Sequence, residues 1–328
     1  MRQKGTCIFL DWCPLLYIGR IVIDLKGANL ERAKGSSWGY LDNEEGPNNW
    51  TAIYDECGGL QQSPIDIVTA SVVAKDLGDF TLVGFGADDV PAGAVMTVSN
   101  NGHGVVVSMQ GDYQVSGADL GPTAYKAVQF HFHWGSVNSR GSEHTVDGKA
   151  YAGELHIVCF NTKYADFNEA LQNDDGLTVL GFFLDVQAED NAALAPLFDA
   201  ISMIQFENDE VPLSPTVVFK NIFPSDLSPF YRYSGSLTTP PCFEIVTWNV
   251  FSKPIMVSEA QLMTFRRQFA NERNASANIT LTDTFRPVQA VDSRTIFLNT
   301  ASSASGLVAS SSLVAMVIIK MLASVLDD

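Results

Sequence analysis

The sequence predicts a β-dominated α+β fold built as a single domain, and three observations carry that prediction. Between about residues 36 and 298 the chain shows no linker-like stretch and no internal repeat. The same region is filled with short β-rich runs separated by Gly, Pro, Asn and Asp. Only two windows have the apolar spacing of a helix. A chain of 328 residues, 46% of them apolar, has material for a large core.

Taken in order, residues 1–35 hold a short basic start, Arg2 and Lys4, and two apolar runs, CIFLDWCPLL and YIGRIVIDL. Asp11, Pro14, Arg20 and Asp24 break those runs, which leaves two readings, a targeting segment or a disordered N-terminus. The clearest strand runs follow: AVMTVSNNGHGVVVSM, AVQFHFHWG, ELHIVCF, LTVLGFFLDV and FEIVTWNVF. Residues 190–205 and 258–272 have helical spacing and are expected to be peripheral. Residues 299–328 are Ser-rich and then apolar, ending LVAMVIIKMLASVLDD, too short for a comfortable membrane span and interrupted by Lys320. Small residues before an apolar tail resemble a lipid-anchor signal, against which stand Lys320 and the final Asp327-Asp328; the competing reading is an amphipathic or frayed tail.

The net charge of −17, with no run of Lys and Arg, repels a phosphate backbone and argues against nucleic-acid binding. Cysteines at 7, 13, 57, 159 and 242 form no CxxC pair, so a cysteine zinc knuckle has no spacing to support it. One or two disulfides in an oxidising compartment remain open. Glycosylation tripeptides at Asn49, Asn274 and Asn278 agree with secretion.

The chemistry concentrates in two strands. In Gln129-Phe130-His131-Phe132-His133-Trp134, polar and aromatic residues alternate, so Gln129, His131 and His133 share one face. Glu154-Leu155-His156-Ile157 has the same parity, with Glu154 and His156 on one face. A lone core histidine is more often a satisfied structural residue. Here three of only five histidines occupy same-face positions, each near a polar residue two places away, as oriented metal ligands require. Three neutral imidazoles with an open fourth position suit catalytic Zn2+, whereas a closed structural site wants a fourth ligand, usually cysteine. Cys159 has the wrong parity to join His156.

QFHFHWG, SEHTVDG, ELHIVCF and YSGSLTTPPC, in that order, together with SSWGY, CGGLQQSPIDI, NNGHG, VTWNVF and FRPVQ, closely resemble the signature blocks of the alpha carbonic anhydrases. The resemblance runs from about Trp38 to Leu298 and assigns residues 36–298 to one catalytic domain. It implies a large, twisted, mostly antiparallel central sheet with peripheral helices and the site on its central strands. It implies reversible hydration of carbon dioxide to bicarbonate and a proton by zinc-bound hydroxide, on a metal held by His131, His133 and His156.

The other roles come from the same resemblance. Thr238 would accept a hydrogen bond from the hydroxide and donate to Glu143, aiming the oxygen at substrate, and Thr239 would help seat bicarbonate. Gln129 and Glu154 would orient His131 and His156. Val158, Val179, Leu237 and Trp248 would give apolar carbon dioxide its wall. His103, flanked by glycines, matches the proton shuttle, with Tyr40 and Asn101 at positions that order the connecting waters and Val106 where the family often has an amide. His144 matches a structural histidine. Cys57 and Cys242 match the disulfide of extracellular members, a link that would constrain the unfolded chain by roughly 4–5 kcal/mol in the entropy model. A secreted, cell-surface or organelle-lumen location follows, with the membrane reached only through the terminal segments. The alternative function is a catalytically silent binding ectodomain, a reading against which the three intact histidines stand.

Overall fold

A computed structural model describes residues 38–300. The expected targeting segment, the tail beyond Thr300, Cys7 and Cys13 lie outside them. The described residues form fourteen strands: β1 (Asp66–Ile67), β2 (Val73–Lys75), β3 (Phe80–Val83), β4 (Val95–Asn100), β5 (Val105–Gln110), β6 (Gln114–Gly117), β7 (Tyr125–Trp134), β8 (Thr145–Val146), β9 (Gly153–Asn161), β10 (Leu177–Gln187), β11 (Glu210–Leu213), β12 (Phe230–Gly235), β13 (Val246–Ser258) and β14 (Phe297–Asn299). Four short helices accompany them: α1 (Trp50–Ile53), α2 (Phe167–Ala170), α3 (Ala195–Ile201) and α4 (Glu259–Phe265).

Twelve strands form one sheet whose main path runs β11-β4-β5-β7-β9-β10-β13-β12-β14-β2, with β6 joining β3 to β7. Only β10 with β13 and β14 with β2 are parallel; the other pairs are antiparallel. β1 and β8 make a separate two-stranded parallel ribbon. The expected sheet, mixed but mostly antiparallel, is therefore present.

Alternation divides the buried side chains between two faces. Phe130, Phe132 and Trp134 of β7, with Leu155, Ile157 and Cys159 of β9, enter the larger core, which α3 and α4 cover through Phe198, Leu262 and Phe265. Val158, Val179, Trp248, Val250 and Tyr233 form a second cluster on the other face. A bulge between Ala127 and Gln129 resets the register of β7 against β9 just before the histidine pair.

The two helical windows fold into less helix than their spacing suggests. Within 190–205, a 3-10 turn at Ala192–Leu194 leads into α3, whose first turn carries Pro196. Within 258–272, Ser258 starts α4 with a capping box to Gln261, and the helix stops at Phe265. Beyond it Phe269 donates to Gln205 and bridges to Thr280, so tertiary pairing claims the backbone that local spacing would have kept helical.

Candidate metal centre

β7 delivers His131 and His133 from one face, and antiparallel β9 brings His156 directly opposite His131. Each ring is held through one nitrogen. His131 Nδ1 meets Gln129 Oε1 at 2.9 Å, His133 Nδ1 donates to the Thr284 carbonyl at 2.6 Å, and His156 Nε2 donates to Glu154 Oε1 at 2.7 Å. That leaves His131 Nε2, His133 Nε2 and His156 Nδ1 on the inner side, with one ligand atom of each histidine within 4.8 Å of the others. Two nitrogens on a common tetrahedral zinc, each about 2.1 Å from it, stand about 3.4 Å apart; His131 Nε2 and His156 Nδ1 are 3.3 Å apart. His133 Nε2 is buried without a hydrogen-bond partner. Burial, followed by the neighbouring imidazoles, holds the His131 pKa well below the ordinary histidine value; burial also lowers that of His133, against the opposing pull of Glu143. Both shifts favour the neutral ring, the form that can ligate a metal. The donor set fits zinc.

Glu154 organises the back of this centre. Its Oε2 accepts from the backbone N–H groups of Glu143 and His144, and its Oε1 lies 2.7 Å from both His144 Nδ1 and His156 Nε2. Burial alone would raise its pKa, but the charge and hydrogen bonds of His144 and His156 drive it far below the carboxylate range. His144 Nε2 continues the chain to Tyr233 Oη at 2.6 Å, which meets Ser63 Oγ at 2.8 Å. With both ring nitrogens engaged, His144 has no lone pair to offer a metal.

Glu143 is buried, with Oε1 accepting from the Arg286 backbone N–H at 2.9 Å. Its Oε2 makes no hydrogen bond and lies 3.3 Å from His133 Nε2 and 3.9 Å from His156 Nδ1. Thr238 is buried, and Leu237 and Thr239 on either side are half-buried. Val158, Val179 and Trp248 are mutual register partners across β9, β10 and β13, so three of the four expected wall residues form one row, with Leu237 packed against their cluster. The Trp248 ring stands edge-on to His156 at 4.8 Å. Gly181, register partner of His156, leaves room for this: a Cβ there would lie 3.3 Å from Glu154 Oε1 and 3.7 Å from both His156 and Trp248.

His103 sits on a turn in which Asn101 Oδ1 accepts from the His103 and Gly104 N–H groups and Gly102 takes a positive φ of 81°. Its ring stacks on Trp38 at 3.9 Å and 11°. Trp38 and Tyr40 belong to an aromatic cluster with Trp50 that packs over a disulfide between Cys57 and Cys242. Burial and Glu143 hold the Tyr40 hydroxyl well above its ordinary pKa. Val106 of β5 is the cross-strand partner of His131.

Sequence reasoning did not find Thr284, Gly181, Tyr233, Ser63 or Arg286. Thr284 acts through a backbone carbonyl, which every residue possesses, and Arg286 through a backbone N–H, so residue type carries no signal. Gly181 could be found only with the β9–β10 register in hand.

The profile of the eukaryotic-type carbonic anhydrases matches residues 45–300. Carbonic anhydrase 3 of Sus scrofa is 37% identical over 265 residues, covering 79% of this chain and 96% of the relative. Carbonic anhydrase 4 of Rattus norvegicus is 36% identical over 262 residues, covering 78% of this chain and 80% of that protein. With that match over all but the first few described residues, and with three convergent imidazoles on its central strands, the chain belongs to the eukaryotic-type carbonic anhydrase family.

Proposed function

We propose that this chain catalyses the reversible hydration of carbon dioxide to bicarbonate and a proton with Zn2+ held by His131, His133 and His156. The observation that carries the reading is the convergence of three inner nitrogens whose opposite ring nitrogens are fixed by Gln129, Thr284 and Glu154. When bound, zinc on three neutral ligands supplies a Lewis acid that makes water a nucleophile at neutral pH, chemistry for which this family is itself the standing example.

The remaining residues divide the work. Val158, Val179, Leu237 and Trp248 offer an apolar surface to a substrate with no charge, and Thr239 offers a hydroxyl to bicarbonate. Glu143 and Thr238 orient the attacking oxygen; the support is a buried carboxylate whose Oε2 is uncommitted beside His133. His103 carries the released proton toward solvent, with Tyr40 and Asn101 ordering the path; its half-buried position on a glycine-flanked turn supports that role. The Cys57–Cys242 bridge supports a disulfide-permissive location, secreted or at the cell surface. Among the described residues no helix is long and apolar enough to cross a membrane.

The test is stopped-flow carbon dioxide hydration beside metal analysis, for the chain and for His133→Ala. Hydration and zinc are expected to disappear together in the variant. Full zinc occupancy without hydration in the parent chain would replace this reading with the silent binding domain.

A further inference from the structure

Three Asn-X-Ser/Thr tripeptides occur, at Asn49, Asn274 and Asn278, and the metal centre uses none of them. The fold treats them differently. Asn49-Trp50-Thr51 runs from the 3-10 turn Pro47–Asn49 into α1. There the Asn49 side-chain amide donates to the Asn43 carbonyl at 2.8 Å, and its backbone N–H donates to Gly46 at 2.9 Å. The middle residue, Trp50, is 0% exposed, and its indole N–H donates to the Glu45 carbonyl. Asn49 and Thr51 are exposed, and only the middle residue enters the aromatic cluster that covers the disulfide.

Asn274-Ala-Ser and Asn278-Ile-Thr share one loop tip. Its base is closed by the Phe269–Thr280 bridge and by the Ala270 N–H donating to Ile279 at 2.8 Å. It is further pinned to the neighbouring loop by Arg273 on Asp209 at 2.7 Å and by Asn208 on Glu272 at 3.2 Å. Residues 272–280 are all exposed, including both asparagines and the hydroxyl residues Ser276 and Thr280. An oligosaccharide is bulky and strongly hydrated, so it belongs where it stays in water and displaces no buried group. The tip meets that condition on a fixed base. Asn49 is exposed too, but its amide is already committed to the Asn43 carbonyl and its neighbour Trp50 is sealed in the core.

We propose that the 274–278 tip is an N-glycosylation site, at Asn274 or Asn278 or both, and that Asn49 is not an acceptor. The donor is an oligosaccharide linked to a polyprenyl diphosphate. The asparagine amide nitrogen attacks C1 of the first sugar; the C1–N bond forms as the C1–O bond to diphosphate breaks. The diphosphate leaves with the bonding electron pair, the amide nitrogen loses one proton, and nothing is oxidised or reduced. The inference rests on the proposed passage through a disulfide-forming compartment.

The experiment expresses the full chain in insect cells, releases glycans with peptide N-glycosidase in heavy-oxygen water, and maps labelled aspartates by mass spectrometry. The Cys57–Cys242 link is mapped in the same sample without reduction. Label at 274 or 278, with Asn49 unlabelled, is the expected result, and a paired Asn274→Gln and Asn278→Gln variant should lose the glycan mobility shift with hydration unchanged. Label at Asn49, or a formed disulfide with an unlabelled tip, overturns the proposal while the compartment reading stands. No disulfide and no label overturns both.

Discussion

His103 lies stacked on Trp38, and its burial sets the direction in which it titrates. The stacked ring is withdrawn from water, and burial pushes its pKa down to about 4, with Glu45 pulling weakly the other way. The sign of the pH dependence follows. Between about pH 6.5 and 4 the unfolded chain binds a proton at this residue that the folded chain refuses, so His103 costs stability as pH falls through that window. A group proposed to relay protons at neutral pH must also reach a wetter position than the stack, which its glycine neighbours permit. In Trp38→Ala the ring loses its cover, and its pKa, followed by the NMR shift of the imidazole, is expected to rise toward the ordinary histidine value. A pKa that stays near 4 would show that the stack is not the cause.

At the scale of elements, the site is a matter of strand register. Parity in β7 and β9 is legible from the sequence, because side chains alternate with a period of two whatever the partner strand is. Which residues meet across strands is not legible, since it depends on the bulge after Ala127 and on the parallel seating of β10 against β13. Register puts Gly181 opposite His156, and the absence of a side chain there lets Glu154, His156 and Trp248 close together. Gly181→Val adds atoms where even a Cβ is tight, and it should push Glu154 off His156. Loss of such an orienting partner typically lowers metal affinity about 10–100-fold, to be read by competition against a chelator; unchanged affinity would mean that the strands yield without disturbing the pair. The two helical windows erred in the other direction. Their apolar spacing is real, but α3 and α4 need only a few turns to cover the larger core, and Phe269 is taken by a β-bridge.

For the whole molecule, the Cys57–Cys242 link spans a sequence separation of 185 and ties the segment before β1 to the loop carrying Thr238 and Thr239. Arg286 reinforces the same junction, donating to the carbonyls of Cys57 and Ser63 and to Gln62. In the chain-entropy model a loop of that size gives about 5 kcal/mol. The paired Cys57→Ser and Cys242→Ser variant should therefore unfold at markedly lower guanidinium concentration with the three-histidine cluster intact. A midpoint unchanged from the parent chain would place the stability of the junction in Arg286 and the aromatic cluster instead.

By itself the sequence determined the β-dominated class, the same-face placement of the histidines on each strand, and, through its run of signature blocks, the family. These depend on local spacing and residue type, which survive in one dimension. Only the tertiary structure decided that the histidines of β7 and β9 face one point. The same holds for the nitrogen each ring presents, the backbone carbonyl that holds His133 and the space at Gly181. The reason is physical: a ring's free nitrogen is fixed by whatever holds the other, and those partners lie up to 151 residues away along the chain.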